Sequence, residues 1–235
     1  MNLSKFYACG GTVRDELLGQ KPKDMDFVCL VPSFDAMREE ILKAGGEIFI
    51  EKPEFQVIRG KLPKIGASDF VLPRKEGGYS DGRRPDNTEI TDSLYEDSLR
   101  RDFKVNAMYK NLETGEILDF HNGKQDLKDK TLSCVGNAVE RFEEDHLRIL
   151  RAMRFFIVKG FDLDGEIDSC LAENDELLFK IRDVSKERVY EELRKCFEYD
   201  TWETLKFLEV YYSLQRAIFE DNVYGIGLGP SINNK

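Results

Sequence analysis

A pair of glycines constrains this chain more than any other feature. Phe6-Tyr7-Ala8-Cys9 is a short apolar run, Gly10-Gly11 ends it, and Thr12 to Leu18 reads as a short helix stopped at Gly19. Adjacent glycines between a strand and a helix let the backbone approach an anion closely, and the helix start offers free N–H groups. Arg14, one turn in, can add a charge-assisted fork to the same anion. Asp24-Met25-Asp26 follows at the head of an apolar strand run, Met25 to Val31. Side chains at i and i+2 of a strand share a face. Two carboxylates so placed can share one or two Mg²⁺ ions, which prefer oxygen ligands and complete their shells with water and substrate phosphate. Asp69 begins another strand candidate and is a third ligand if that strand lies beside the first. A DxD alone is usually a solvated turn, and a Gly-Gly before a helix is a weak signal. Their joint order, strand, Gly-Gly, helix, strand, DxD, is what points to phosphoryl transfer.

The rest of the chain reads as an α+β head to residue 136, then a helical part over 137–235. Pro32-Ser33 opens a helix from Phe34 to Ala44, and Ile48–Ile50, Phe55–Lys61 and Asp69–Leu72 are strand candidates. Arg74 to Thr91, rich in Gly, Asp, Arg and Pro, reads as an 18-residue loop, long enough to suggest a functional one. Glu96 to Met108 favours helix, and Glu113–Glu116 reads as a turn between two short strands ending near Phe120. Helices are expected over 137–159, 165–179, 186–198 and 201–216, with a frayed tail from Gly225.

Composition supports a globular chain. Of 235 residues, 41% are hydrophobic and 34% charged, which excludes a disordered chain and a coiled-coil rod. No apolar run reaches the ~18 residues of a membrane span, and no signal-peptide core follows Met1. Five scattered cysteines without a CxxC read as reduced cytoplasmic thiols rather than disulfides or a zinc site. The net charge of −10 argues, taken alone, against a nucleic-acid binder. The charge is uneven, however: residues 1–110 hold 18 Lys+Arg against 19 Asp+Glu, and residues 111–235 hold 17 against 26. A near-neutral first half can still carry a locally positive groove.

Five ordered stretches carry a resemblance. They are GGTVRDELLG with KDMDFV, DFVLPRKE from Asp69, EDSLRRDFKVNAM from Glu96, RFEEDHLRILRAMRF from Arg141, and SKERVYEELRK from Ser185. Together they resemble the class II tRNA nucleotidyltransferases (CCA-adding enzymes) and bacterial poly(A) polymerases, over about residues 6–198. The resemblance implies a polymerase beta-like nucleotidyltransferase head, with a mixed sheet, followed by a helical neck. It implies that Asp24 and Asp26 hold two Mg²⁺ (or Mn²⁺) ions, with Asp69 a third catalytic acid. Gly10, Gly11 and Arg14 would hold a triphosphate, Arg101 would sit near the nucleotide, and Asp102 and Asn106 would order the ribose and the acids. Asp145 and Arg148, i and i+3 on one expected helix, would meet the Watson–Crick edge of cytosine or adenine, with Arg151 and Arg154 continuing the row. Without the family, that row reads as an intrahelical salt-bridge ladder worth ~0.3–0.5 kcal/mol per pair.

Two positions depart from the family pattern. Lys104 stands where Thr is usual, and His146 stands where Pro is usual. His146 reads as a surface residue in a first helical turn, and His121 as structural. The implied activity is template-independent addition of CMP or AMP, from CTP and ATP, to an RNA 3′ end in the cytoplasm, with tRNA the expected acceptor. Poly(A) polymerase, C-only or A-only enzymes, and a non-catalytic nucleotide or RNA binder are the alternatives. Only 40 residues follow Lys195, too few for the family's helical body and tail domains. The expectation is a head-and-neck form, with a homodimer one arrangement for it.

Overall fold

A computed structural model describes residues 2–22 and 25–220. By contact the chain divides into Met1–Gly77 with Asn87–Asp129, and Gly78–Asp86 with Lys130–Lys235. The division falls at 129/130 rather than at 136, because Thr131–Leu132 pairs as a short parallel ladder with Asp162–Leu163.

The first unit runs β1 (Phe6–Cys9), α1 (Gly11–Leu17), β2 (Asp26–Cys29), α2 (Phe34–Lys43), β3 (Glu47–Lys52), β4 (Val57–Leu62), β5 (Gly66–Val71), β6 (Arg74–Gly77), β7 (Asn87–Ile90), α3 (Leu94–Leu99), β8 (Met108–Asn111), β9 (Ile117–Asp119) and α4 (Gly123–Asp129). Seven strands form one sheet in the order β3-β4-β5-β2-β1-β8-β9. The β2–β5 pair is parallel and the others are antiparallel, so the sheet is mixed as expected. Strand alternation sorts side chains by face. Phe6, Phe27 and Phe70 lie on one face and are fully buried, with Phe27 stacked on Phe70 at 5.5 Å and Phe6 edge-on at 5.9 Å. Burying each ring contributes about 2–3 kcal/mol before entropy is counted. On the other face Cys9, Val28, Tyr109 and Leu94 form a second cluster, with Tyr7 and Val71 against it. Ser33 caps α2 through a hydrogen bond from the Ala36 N–H at 3.2 Å, worth about 1 kcal/mol.

Two segments differ from the sequence expectation. Arg74 to Thr91 is not one long loop: β6 and β7 pair as an antiparallel ribbon from Arg74↔Ile90 to Gly77↔Asn87. All four residues of β7 are exposed, so no apolar alternation marks it. Cross-strand charge, Lys75 with Glu89 at 3.0 Å, takes that role. Glu96 to Met108 is not one helix either. The helix ends at Arg100, the Asp102 carboxylate accepts the Phe103 N–H at 2.8 Å, and Met108 already belongs to β8. A short polar side chain that bonds its neighbouring backbone competes with helix continuation.

The second unit adds β10 (Thr131–Leu132), α5 (Ala138–Glu144), α6 (Leu147–Lys159), β11 (Asp162–Leu163), α7 (Gly165–Glu173), α8 (Asp175–Phe179), α9 (Lys186–Tyr199), α10 (Thr201–Val210) and α11 (Tyr212–Phe219). Three of the four expected helices are split, at Asp145-His146, at Asn174 and at Tyr211. The expected frayed tail lies outside the described residues. Leu147, Ile149, Leu150, Met153 and Phe155 of α6 are all buried, as their spacing predicts.

His146 is not a surface residue. It is 6% exposed, its N–H donates to the Gly82 carbonyl at 3.2 Å, and burial pushes its imidazole pKa down. Gly82 holds φ +60, and a Cβ there would collide with the His146 ring. Gly82→Ala therefore adds backbone strain to a steric clash, each worth about 1–3 kcal/mol. Trypsin cleavage at Arg83 or Arg84 is expected to quicken by at least about tenfold. Unchanged cleavage would show that Gly82 is dispensable. His121 is structural as read: its ring lies 2.7 Å from the Ser98 hydroxyl and stacks on Tyr95.

Candidate active site

The parallel pairing of β2 and β5 sets Asp26 directly beside Asp69. Adjacent strands lie about 4.8 Å apart, so the two carboxylates leave the sheet as neighbours. Both fall on the Val28–Val71 face, two residues before each valine. Asp26 is exposed and Asp69 half-buried. The Asp26 N–H donates to the Thr12 hydroxyl at 3.1 Å, tying the acidic strand to the first turn of α1. Asp69 accepts from Arg59 Nη1 at 3.1 and 3.2 Å. Asp24 lies outside the described residues. Among the described residues no three His, Cys, Asp or Glu side chains converge as a metal-ligand group. The donors at this point are carboxylate oxygens, which suit a hard divalent cation, and burial raises the pKa of the neighbouring Cys9 thiol.

The glycine turn leads into α1 as expected. Gly10 takes φ +61, a left-handed conformation, and no side chain caps the helix. Arg14 is 8% exposed and fully engaged in a fork: Nε and Nη2 donate to Asp15 Oδ1 at 2.9 and 2.7 Å, and Nη1 donates to Asn106 Oδ1 at 2.7 Å. Asn106, buried, donates through Nδ2 to Asp102 Oδ1 at 3.1 Å. Three candidates from two distant motifs, Arg14, Asn106 and Asp102, are thus joined in one hydrogen-bonded chain.

Arg101 is held on all sides. Nε donates to the Tyr109 hydroxyl at 2.8 Å, Nη1 to the Asn106 carbonyl at 3.3 Å, and Nη2 to Asp97 Oδ2 at 3.0 Å. Asp97 is the residue that sequence reasoning passed over. It is 0% exposed. Its Oδ1 accepts from the Arg74 N–H at 3.0 Å and from Arg100 Nε and Nη2 at 3.0 and 2.9 Å, and its Oδ2 also accepts from Tyr109 at 2.5 Å. Burial pushes its carboxyl pKa up, but Arg100 and Arg101 outweigh burial and hold it down at about 2. It is therefore ionised at neutral pH. The signal for it was present: Arg100 and Arg101 stand three and four residues after an acid, the spacing of helix neighbours.

In the second unit the expected continuous helix breaks at Asp145, whose backbone is extended at φ −142, ψ 103. Asp145 and Arg148 therefore do not share a helix face as i and i+3. Asp145 instead caps α6, accepting the Leu147 N–H at 3.1 Å, and pairs with Arg188 of α9 at 3.2 Å. Arg148, 8% exposed, turns back to Glu144 at 2.7 Å and to the Arg141 carbonyl at 3.0 Å. Arg151 is half-buried on α6. Arg154 donates from Nε to Glu192 of α9 and lies over the Phe155 ring at 5.3 Å.

A mixed sheet with acids side by side on two neighbouring parallel strands, followed by helices, is the nucleotidyltransferase head fold with its helical region. The sequence profile of the poly(A) polymerase head domain matches residues 6–133, more than half of the chain. The chain belongs to that family. It is 38% identical over 196 residues to the CCA-adding enzyme of Lactococcus lactis subsp. cremoris, covering 83% of this chain and 47% of the relative. The CCA-adding enzyme of Streptococcus uberis is likewise 38% identical over 196 residues, covering 83% and 46%. Among solved structures, the Bacillus stearothermophilus CCA-adding enzyme in complex with CTP superposes with TM-score 0.70 at 28% identity, covering 86% of this chain and 47% of that one. A tRNA nucleotidyltransferase complexed with a primer tRNA and an incoming ATP analog gives TM-score 0.72 at 31% identity, covering 91% and 59%. The chain thus spans about half the length of the curated relatives it matches. Among the described residues no helix is long and apolar enough to cross a membrane.

Proposed function

We propose that this chain transfers CMP and AMP from CTP and ATP to the 3′ end of an RNA without a template, with cytoplasmic tRNA as the acceptor. The observation that carries the proposal is the register of β2 with β5, which makes Asp26 and Asp69 neighbours beside the Gly10-Gly11 turn. The CCA-adding relatives and the family profile support the same reading. Asp26 and Asp69, with Asp24, would hold divalent cations. Such ions supply Lewis acidity toward an attacking hydroxyl and a leaving pyrophosphate. The backbone at Gly10 and Gly11 and the Arg14 guanidinium hold the triphosphate. Arg101, Asp102 and Asn106 order the sugar end of the nucleotide. Asp145 and Arg148 read the base through one acceptor and several donors, with Arg151 and Arg154 behind them. The protein's contribution is positioning and charge neutralisation, as in phosphoryl transfer generally.

The test is extension of tRNA, tRNA-C and tRNA-CC by the purified protein with Mg²⁺ and each labelled nucleotide in turn. CMP added to tRNA and tRNA-C, and AMP added once to tRNA-CC, is the expected result. The family profile also favours a second reading, poly(A) polymerase. A long ATP-only tail on a non-tRNA primer would select it. ATP or CTP binding with no extension of any primer would leave a nucleotide-binding module.

A further inference from the structure

We propose that Asp97 is a positioning residue for the incoming nucleotide, acting through Arg101 and Tyr109 on the two groups that receive the triphosphate. The proposal rests on the nucleotidyltransferase reading above. Asp97 has no exposed surface, so it cannot touch a nucleotide itself. Its carboxylate gathers three parts of the first unit: the start of β6 through the Arg74 N–H, the end of α3 through Arg100 and Arg101, and β8 through the Tyr109 hydroxyl.

From Asp97 the contacts run outward in one direction. Arg101, fixed at Nη2 by Asp97 and at Nε by Tyr109, places Nη1 against the Asn106 carbonyl. The same Nη1 lies 3.5 Å from where a Cβ on Gly10 would stand, so it packs under the left-handed turn that opens α1. The Asn106 side chain in turn receives Arg14 Nη1 at 2.7 Å. Both groups assigned to the triphosphate, the glycine turn and Arg14, are therefore reached from Asp97 through Arg101.

Burying a carboxylate among guanidiniums is an inefficient way to gain stability, since apolar packing of similar volume often does as well or better. What a charged hub adds is direction. A single anion with two acceptor oxygens orients two guanidinium forks and one hydroxyl at once. Such an arrangement holds a site in its working geometry before substrate arrives.

Two variants test this. Asp97→Asn keeps the shape but replaces an acceptor oxygen with an amide NH2 donor and removes the charge that holds Arg100 and Arg101. Tyr109→Phe removes one hydroxyl and leaves Asp97 in place. The expected result is a rise in KM for CTP and ATP of about tenfold in Asp97→Asn and about threefold in Tyr109→Phe. The KM for the acceptor RNA should stay unchanged and kcat should fall less than the nucleotide KM rises. Titration with a fluorescent ATP analogue, without acceptor RNA, should show the same ordering of affinities. A purely structural role would lower the unfolding midpoint and the active fraction while leaving the nucleotide KM of the folded enzyme at its wild-type value, and that outcome overturns the proposal. If Asp97→Asn does not fold, an unchanged nucleotide affinity in folded Tyr109→Phe overturns it alone. A wild-type protein that neither binds nor transfers a nucleotide would sink the nucleotidyltransferase reading instead.

Discussion

Asp26→Ala is expected to lower nucleotide incorporation by at least about a thousandfold, equivalent to about 4 kcal/mol in the barrier. The carboxylate is exposed at the mouth of β2, so its removal opens no cavity in the core. The unfolding free energy should therefore stay within about 0.5 kcal/mol of wild type. That separation makes the experiment informative, since activity collapses while the fold does not. Asp69→Ala should be milder, because Arg59 already draws on that carboxylate and the variant leaves Asp24 and Asp26 in place. Single-turnover extension at saturating nucleotide, with circular dichroism on the same samples, measures both quantities. Wild-type activity in Asp26→Ala would refute the metal assignment.

Glu192→Ala should act the opposite way, on stability. Glu192 of α9 is 6% exposed and accepts from Arg154 of α6, with Lys195 at 3.4 Å. Removing it leaves a guanidinium, itself largely shielded, without its carboxylate. Breaking such a pair from one side costs about 3 kcal/mol, most of it the burial of an uncompensated charge. In a chain of this size that corresponds to a fall of about 5–10 °C in the unfolding midpoint. Glu192→Gln, which keeps a neutral acceptor, should recover part of the loss. A thermal scan of the three proteins decides it. Equal midpoints for wild type and Glu192→Ala would mean that α6 and α9 are joined by apolar packing alone.

The parts of the fold that could be read from the sequence are those marked by apolar period or by glycine. The run Phe6–Cys9, the Gly10-Gly11 turn and the apolar positions of α6 are of this kind. So is a strand at Asp69, although it does not open there: β5 begins three residues earlier, at Gly66. That this strand lies beside β2, in parallel and in register, is a long-range pairing that no local pattern carries. The ribbon of β6 and β7 is not legible because β7 is exposed throughout and β6 carries charged residues on both faces, whereas a strand is recognised by apolar alternation. The break at Asp145 escapes a sequence pattern for the converse reason. The apolar positions of α5 and α6 keep a helical rhythm on either side, while the carboxylate that ends one helix and caps the next looks like any other member of a charge run. Asp97 was hidden in the same way, since Glu96-Asp97 before Arg100-Arg101 resembles a solvated face. Burial turns such a run into a hub, and burial is a property of the whole fold.

The assignment of Gly78–Asp86 to the second unit has a consequence for the order in which the molecule is made. A ribosome delivers the chain from its N-terminus, and domains generally fold as their residues emerge. All strands of the seven-stranded sheet are present once residue 119 has left the tunnel. The tip of the β6–β7 ribbon must then wait, because its partners, His146 among them, have not yet been synthesised. The first unit can thus mature early while one of its own hairpins remains an open end, to be claimed by chain that arrives later. Contacts closed over such a separation form slowly. Residues 78–86, with Arg83 and Arg84 among them, are accordingly a stretch of the nascent protein that stays open to proteases after the sheet has closed.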